Sequence, residues 1–142
     1  MENGQEKPTT FFRFEDLRIY HKSLEYISWG YDMAKIAGTD SYLKTFFDRF
    51  LTSAQAISLN IAEGSSRNKS QFVYYLKMAK SSVRECVVLT TLALNRNLIT
   101  PKQYDESKNQ LMEMTKMIGA LIGSLQRSVK VGDHGNDEDE ND

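Results

Sequence analysis

Apolar residues recur at intervals of three and four through four successive segments of the chain, which is the period of the α-helix. The breaks between these segments are short and polar, and no strand-like alternation is long enough to indicate a sheet. Helices of similar length joined by short loops favour antiparallel packing. The pattern therefore predicts an all-α fold, an antiparallel up-down-up-down four-helix bundle, over residues 14–130.

Capping residues and glycines set the predicted helix boundaries. Thr100, Pro101 and Gln103 form the clearest helix start, an N-cap followed by proline and the second half of a capping box. Thr39 or Asp40 is expected to cap the second helix. Gly64 is expected to close that helix in the left-handed conformation, and Asn68 to cap the third. The four predicted helices span about 15–36, 41–63, 69–95 and 101–128.

The first predicted helix carries two apolar stripes. One contains Leu17, Tyr20, Leu24, Ile27, Tyr31 and Ala34, and the other contains Ile19, Tyr26, Trp29, Met33 and Ile36. Two stripes exceed what a single core needs. The surplus predicts a helix that is buried on two sides, and hence a homo-oligomer whose candidate interface residues are Tyr26, Trp29 and Met33.

The two ends of the chain differ in composition from the predicted bundle. Residues 1–13 are predicted to be a flexible polar leader that ends in aromatic residues, which either lie across the bundle or a neighbouring subunit or stack on bases. Residues 131–142 carry six acids and are predicted to be disordered. Up to Lys130 there are eighteen Lys and Arg against thirteen Asp and Glu, a net charge of +5. A basic body of this kind is compatible with an anionic partner.

Residues that carry enzyme chemistry are nearly absent. The chain has two histidines, His21 and His134, and one cysteine, Cys86, which lies on an apolar helix face with no base nominated beside it. No Glu-x-x-His pair of a di-iron bundle and no phosphate-binding glycine loop is present. The sequence thus predicts no enzyme, no cofactor and no metal. With no secretory signal or membrane-spanning run visible, it also predicts a soluble cytoplasmic protein without a membrane partner.

Cations around the central turn are the candidate binding residues. They follow one another along one side of the third helix and are Arg67, Lys69, Lys77, Lys80 and Arg84. Phosphate contact by such a stripe would be sensitive to salt. The alternative is an ordinary solvated helix face, since Lys and Arg are also good helix formers.

Three strings carry a resemblance to a known family. They are Phe14-Glu-Asp-Leu17, Asn60-Ile-Ala-Glu-Gly64 and Arg67-Asn-Lys-Ser-Gln-Phe72, and they are supported by Leu98-Ile-Thr-Pro-x-x-Tyr104 before the fourth helix. With these strings the chain resembles the four-helix-bundle proteins encoded by intervening sequences within bacterial 23S ribosomal RNA genes. The family also bears an old label as ribosomal proteins and includes the accessory protein of diversity-generating retroelements.

The resemblance implies an antiparallel bundle that assembles into a five-membered ring, and no enzymatic activity. It also implies a basic surface that binds structured RNA or an RNA-binding protein. Relatives often carry an Arg pair where this chain has Leu51 and Thr52, and two fewer cations weaken the expected phosphate contact. Asn60, Glu63 and Gly64 are expected to hold the turn or a neighbouring subunit, or alternatively a ligand, with Arg67 as the candidate partner of Glu63.

Two functions follow from these features. The first is an oligomeric adaptor that associates with RNA through the basic side of the third helix. The second is a protein-interaction scaffold with no nucleic-acid role, which the doubled apolar face of the first helix and the missing Arg pair favour.

Overall fold

The computed structural model describes residues 11–132, and it confirms the predicted four-helix bundle. A short 3-10 turn precedes the bundle, and all regular structure in this range is helical. The predicted flexible leader up to residue 10 and the acidic tail from residue 133 lie outside the described residues. The elements are the turn Arg13–Asp16 and the helices α1 (Arg18–Ala37), α2 (Ser41–Ser65), α3 (Lys69–Asn95) and α4 (Pro101–Gly132).

The helices pack in the order of the chain, α1 on α2, α2 on α3 and α3 on α4, and α4 returns to α1. One apolar cluster runs through the middle of the bundle, and a smaller one formed by Phe47, Ala93 and Ile99 closes the end near the α3–α4 turn. The residues with the least accessible surface in the main cluster include Ile57, Ile61, Leu76, Val83, Leu111, Met114 and Ile118.

Local residues fix the helix ends as the capping pattern predicts. Asp40 accepts hydrogen bonds from the first free N–H groups of α2, and Asn68 accepts one from Gln71 N at 2.9 Å. Thr100 and Gln103 bond each other reciprocally at the start of α4, at 3.1 and 2.9 Å. These bonds satisfy backbone donors that a helix cannot pair internally. The four helices therefore begin where the sequence indicates, apart from α1, whose first predicted residues form the 3-10 turn.

Gly64 does not have the expected role. It lies inside α2, and among the described glycines only Gly38 has a positive φ. A Cβ at Gly64 would stand 2.6 Å from Tyr75 Cβ and 2.9 Å from Phe72 Cδ1 on α3. The missing side chain lets α2 and α3 approach closely just before the turn, so the prediction of a left-handed helix end at Gly64 was wrong.

Both stripes of α1 pack mostly within a single chain, while Leu24, Tyr31 and Ile36 stay exposed. Ile19 and Tyr26 are buried in the main cluster, while Leu17, Tyr20 and Ile27 of the other stripe pack against the same cluster. This is possible because α1 contacts both α2 and α4. The doubled stripe therefore reflects a helix set between two neighbours of its own chain, and it does not by itself require a second subunit.

The three predicted interface residues take part in this packing. Tyr26 has no accessible surface, so it cannot contact a second chain. Trp29 is half-buried, stacks on Tyr26 at 5.7 Å and donates from Nε1 to Glu106 at 3.0 Å. Met33 packs against the smaller cluster. The three residues hold α1 within the bundle.

Candidate nucleic-acid interface

The predicted basic residues of α3 share one side of the helix. The helical period puts Lys69, Lys77, Lys80 and Arg84 within an arc of about 80°. That side flanks α4, because Lys69 Nζ donates to Ser128 Oγ of α4. Lys77 and Lys80 are half-buried, while Arg84 and Lys69 are exposed. The structure thus brings four of the five candidates together.

Arg67 is engaged differently from the other four. It lies in the α2–α3 turn, donates from Nε and Nη2 to Glu63 Oε2 at 3.0 and 2.5 Å, and covers the Tyr75 ring at 5.1 Å. The hydrogen bond to Glu63, followed by the charge of Tyr75, raises the pKa of Arg67 above its ordinary value. Arg67 is therefore the partner of Glu63, as the sequence suggested, and its charge is largely committed to the turn.

Most acidic side chains of α3 and α4 point towards α2 or α1, away from the predicted basic residues. Glu85 accepts a hydrogen bond from Ser53 of α2 at 3.0 Å, with Arg49 of α2 nearby. Glu106 accepts from Trp29 of α1, and Glu113 pairs with Lys22 of α1 at 3.2 Å. Because three of the four acids between residues 69 and 128 turn away, the side shared by α3 and α4 keeps mainly positive charge.

The string Asn60 to Gly64 is occupied by contacts within the hairpin. Asn60 Nδ2 donates to the carbonyl of Ala56 in the same helix at 2.9 Å, whereas the sequence suggested loop backbone, a neighbouring subunit or a ligand. Glu63 holds Arg67, and Gly64 receives Tyr75 and Phe72. All three residues therefore have structural partners in the described chain.

Leu51 and Thr52, where relatives often carry arginine, also have local partners. Leu51 is buried in the main cluster and lies against Gly30 of α1. Thr52 is exposed and donates from its hydroxyl to the carbonyl of Asp48 at 3.0 Å. In this chain, Leu51 adds to the core and not to a basic surface.

The period pattern missed the part that α2 contributes to an exposed apolar surface shared with α1. Leu59 is 67% exposed, since it stands two residues from both Ile57 and Ile61 and points away from the core. Leu24 and Tyr31 of α1 are exposed near it, and Gln55 Nε2 donates to the Tyr31 hydroxyl at 2.9 Å. The signal that could have found this surface is an apolar residue at an outward position of α2.

The aromatic residues before α1 extend this surface. Phe14 is half-buried and packs edge-on against Tyr20 at 4.9 Å, whereas Phe11 is 91% exposed. With Phe12 and Leu59 they line an open groove of about 560 Å³ beside the end of α2. A second set of exposed apolar side chains lies on the outer side of α3 and contains Tyr74, Met78, Val88 and Leu92.

The interior of the bundle holds polar groups that bond one another. The hydroxyls of Tyr26 and Thr90 each share a hydrogen bond with Ser107 Oγ at 2.8 Å, and Ser23 and Ser58 share one at 2.7 Å. Burial raises the pKa of Tyr26, and burial together with the charge of Glu85 raises that of Cys86 to about 12. The thiol is thus protonated at neutral pH, and these groups serve packing.

Two further findings describe residues 11–132. No cluster of three or more His, Cys, Asp or Glu side chains in this range is arranged to hold a metal ion. None of the helices in it is both long and apolar enough to cross a membrane. His21, one of the two histidines, is exposed and bonds the carbonyl of Glu15 through Nε2 at 2.6 Å.

Comparison with known proteins gives one family and one fold. Residues 15–120 match the family model described as 23S rRNA-intervening sequence protein. The fold is similar to the crystal structure of a protein with unknown function from the S23 ribosomal protein family of Bacteroides thetaiotaomicron, with a TM-score of 0.68 and 23% identity over 73% of this chain and 97% of that chain. No curated protein matches the chain.

Proposed function

The chain belongs to the 23S rRNA-intervening sequence protein family, and from this we propose that it is a non-enzymatic, oligomeric bundle that associates with structured RNA, or with an RNA-binding protein, through the basic side of α3. The observation that carries the proposal is the separation of charge on α3 and α4. Lys69, Lys77, Lys80 and Arg84 share one side, while Glu85, Glu106 and Glu113 contact the flanking helices. Such a side attracts phosphate by Coulomb interaction and counterion release.

The absence of an enzyme role rests on the side chains available. Cys86 is buried with a raised pKa, and a thiol in that state is a poor nucleophile. The hydroxyls of Tyr26, Thr90 and Ser107 hydrogen-bond one another inside the core. We therefore expect partner binding and no turnover.

The RNA proposal is tested by the salt dependence of binding. Purified bacterial 23S ribosomal RNA is titrated with the full chain and with the double variant Lys80→Gln/Arg84→Gln. We expect the logarithm of affinity to fall linearly with that of salt concentration, and the variant to reduce the slope by about 2. The control is Lys35→Gln/Lys44→Gln on α1 and α2, which should change neither value. RNA binding that ignores salt, or none at all, would overturn the proposal.

Self-association is proposed from the two exposed apolar surfaces. One lies on α1 and α2 around Leu59, Leu24 and Tyr31, and the other lies on α3 around Val88 and Leu92. Because they are different surfaces of one chain, pairing one with the other is a head-to-tail contact, which closes into a ring when the rotation permits. We propose a homo-oligomer of this type, a pentamer, which agrees with the five-membered assemblies of the family it resembles.

The oligomer is tested by light scattering during size exclusion. We expect Leu59→Asp to reduce the particle mass to that of one chain while the far-ultraviolet circular dichroism stays helical. Tyr42→Asp is the matched control, because Tyr42 is also exposed on α2 but lies at its first turn. A particle of unchanged mass for Leu59→Asp would exclude the surface around Leu59.

The second candidate function, a protein-interaction scaffold without RNA, is favoured by the same apolar surfaces. Oligomers that bind no RNA at low salt, but capture the same protein from lysate with or without nuclease, would support it over the adaptor.

A further inference from the structure

We propose that the RNA site spans two helices, α3 and α4, and that it is shaped for the backbone of double-helical RNA. This inference rests on the proposed function and adds to it the second helix and the class of RNA. The surface in question, called here the α3–α4 basic surface, consists of Lys77, Lys80, Arg84, Lys116, Gly119, Gly123 and Arg127.

Two contacts fix the register between the helices. Thr90 bonds Ser107, and Lys69 bonds Ser128. The two helices are antiparallel, so each residue towards the start of α3 is matched by one residue towards the end of α4. Lys80 then lies level with about residue 117 of α4, and Lys77 with about residue 120. The α4 segment beside the α3 cations is therefore the one that runs from Lys116 to Gly123.

The outer side of this α4 segment combines positive charge with bare backbone. Lys116, Gly119 and Gly123 fall within an arc of about 60°. Glu106 and Glu113, which contact α1, lie beyond the Lys116 edge of this arc. A Cβ at Gly119 would meet no atom within 4 Å. At Gly123 the nearest atom would be Arg127 Nη1, at 3.3 Å. The cations thus flank a part of the helix backbone that no side chain covers, at Gly119 and Gly123. A phosphodiester chain can approach this backbone closely.

Two acids remain near this surface. Glu113 precedes Lys116 by three residues and pairs with Lys22 of α1. Asp105 lies in the first turns of α4, level with about Leu92 and beyond the end of the cation set. The glutamates of α3 and α4 contact α1 or α2. The charge along the surface itself is therefore of one sign over the length of about 16 Å from Lys116 to Arg127.

The aromatic residues decide the class of RNA. Binding of single strands relies on aromatic rings on which bases stack. Within the described chain, the α3–α4 side offers only Tyr104, which is half-buried and held by Lys108 through its hydroxyl at 2.9 Å and its ring at 4.8 Å. Tyr74 is exposed at the outer edge of the surface, about 60° around α3 from Lys77 and about 120° from Lys80, so its ring borders the cations and does not lie among them. Cations without a stacking platform fit a duplex, which proteins contact through phosphates and shape.

The experiment compares two labelled probes on the full chain, a perfectly paired RNA duplex of about 16 base pairs and one of its strands alone. We expect the duplex to bind about tenfold more tightly than the strand at equal salt. The double variant Lys116→Gln/Arg127→Gln should weaken duplex binding about tenfold and lower the salt slope by about 2, as should Lys80→Gln/Arg84→Gln. Tyr74→Ala should change neither probe.

A second variant tests the uncovered backbone at Gly119 and Gly123 without changing the charge of the protein. Gly119→Leu fills the open space and should weaken duplex binding several-fold with the salt slope kept. Its matched control is Asn109→Leu, which is exposed on α4 but lies ten residues before Gly119, outside the α3–α4 basic surface. Helix content and thermal midpoint are recorded for every variant, and all the substituted side chains are at least partly accessible.

The outcomes separate this inference from the proposed function. If the α3 variant weakens binding and the α4 variant does not, the site is a single helix and the inference is overturned while the proposed function stands. Preference for the single strand, together with loss on Tyr74→Ala, would overturn the duplex class. Equal competition by polyglutamate would indicate an acidic protein partner and overturn an RNA site. Binding of neither RNA would overturn the proposed function itself.

Discussion

Glycine has two opposite uses on the surface of these helices. At Gly64 the space that a side chain would fill is already taken by Tyr75 and Phe72, whereas at Gly119 it is empty. Both glycines carry the same helix-propensity penalty of about 1 kcal/mol relative to alanine. The sequence could find the helices around them but not this difference, because contact with a neighbouring helix is not a local property.

We therefore expect Gly64→Ala and Gly119→Ala to change stability in opposite directions. Overpacking at Gly64 should outweigh the propensity gain and lower the free energy of unfolding by about 1–3 kcal/mol. Gly119→Ala should raise it by about 1 kcal/mol. Urea unfolding followed by circular dichroism measures both values. A Gly64→Ala variant as stable as the parent would mean that α2 and α3 can separate at no cost.

At the scale of helices, sequence reasoning predicted what depends on neighbours along the chain. The N-caps Asp40, Asn68 and Thr100 act through residues two or three positions away, and the period of α3 predicted that its cations share a side. The stripes of α1 were recognised, but an apolar period says that a face is covered and not which element covers it. The part that α4 plays in the candidate site depends on register, which the Thr90–Ser107 contact sets across distant segments.

The packing of α3 can be followed through its one thiol. Cys86 has no accessible surface, and its pKa is raised to about 12 mainly by burial. At pH 8 we expect labelling by dithionitrobenzoate to be slow in the native protein and to accelerate in denaturant, because reaction needs the thiolate and access. The control is Cys86→Ala/Lys102→Cys, which should react at once. Fast native labelling of Cys86 would show that α3 opens readily.

The same group gives a pH dependence of stability. Because the folded pKa of Cys86 lies above its ordinary value of 9.0, the fold favours the protonated thiol. Its stabilising contribution is complete below about pH 9 and is lost as the pH rises towards about 12. Tyr26, whose pKa is also raised by burial, acts in the same direction. The thermal midpoint should therefore fall in this alkaline range.

At the scale of the whole molecule, charge is divided between the body and the tail. The net charge of −1 combines +5 up to Lys130 with −6 contributed by the six acids of residues 131–142. The acids follow directly on α4, whose outer side carries part of the basic surface. We expect acidic side chains tethered there to compete with phosphate for the same cations.

Removing residues 133–142 should therefore increase affinity for the RNA duplex, most clearly at low salt and less as screening shortens the range of the charges. A full-length chain with the six acids changed to Asn and Gln controls for length, and it should bind like the truncated chain. Equal affinity of the parent and both variants, measured by fluorescence anisotropy, would mean that the tail does not compete.

The two ends of the bundle are formed by different segments of the chain. The Phe11–Phe14 segment, the last turn of α2, the first residue of α3 and Ser128 of α4 meet at one end, as the groove around Leu59 and the Lys69–Ser128 contact show. The turns at Gly38 and Asn97 form the opposite pole. Both ends of the described chain therefore leave from the same pole. A circular permutant that joins them and opens at residues 96–98 would keep every helix whole, and fusions at either terminus would leave the opposite pole clear.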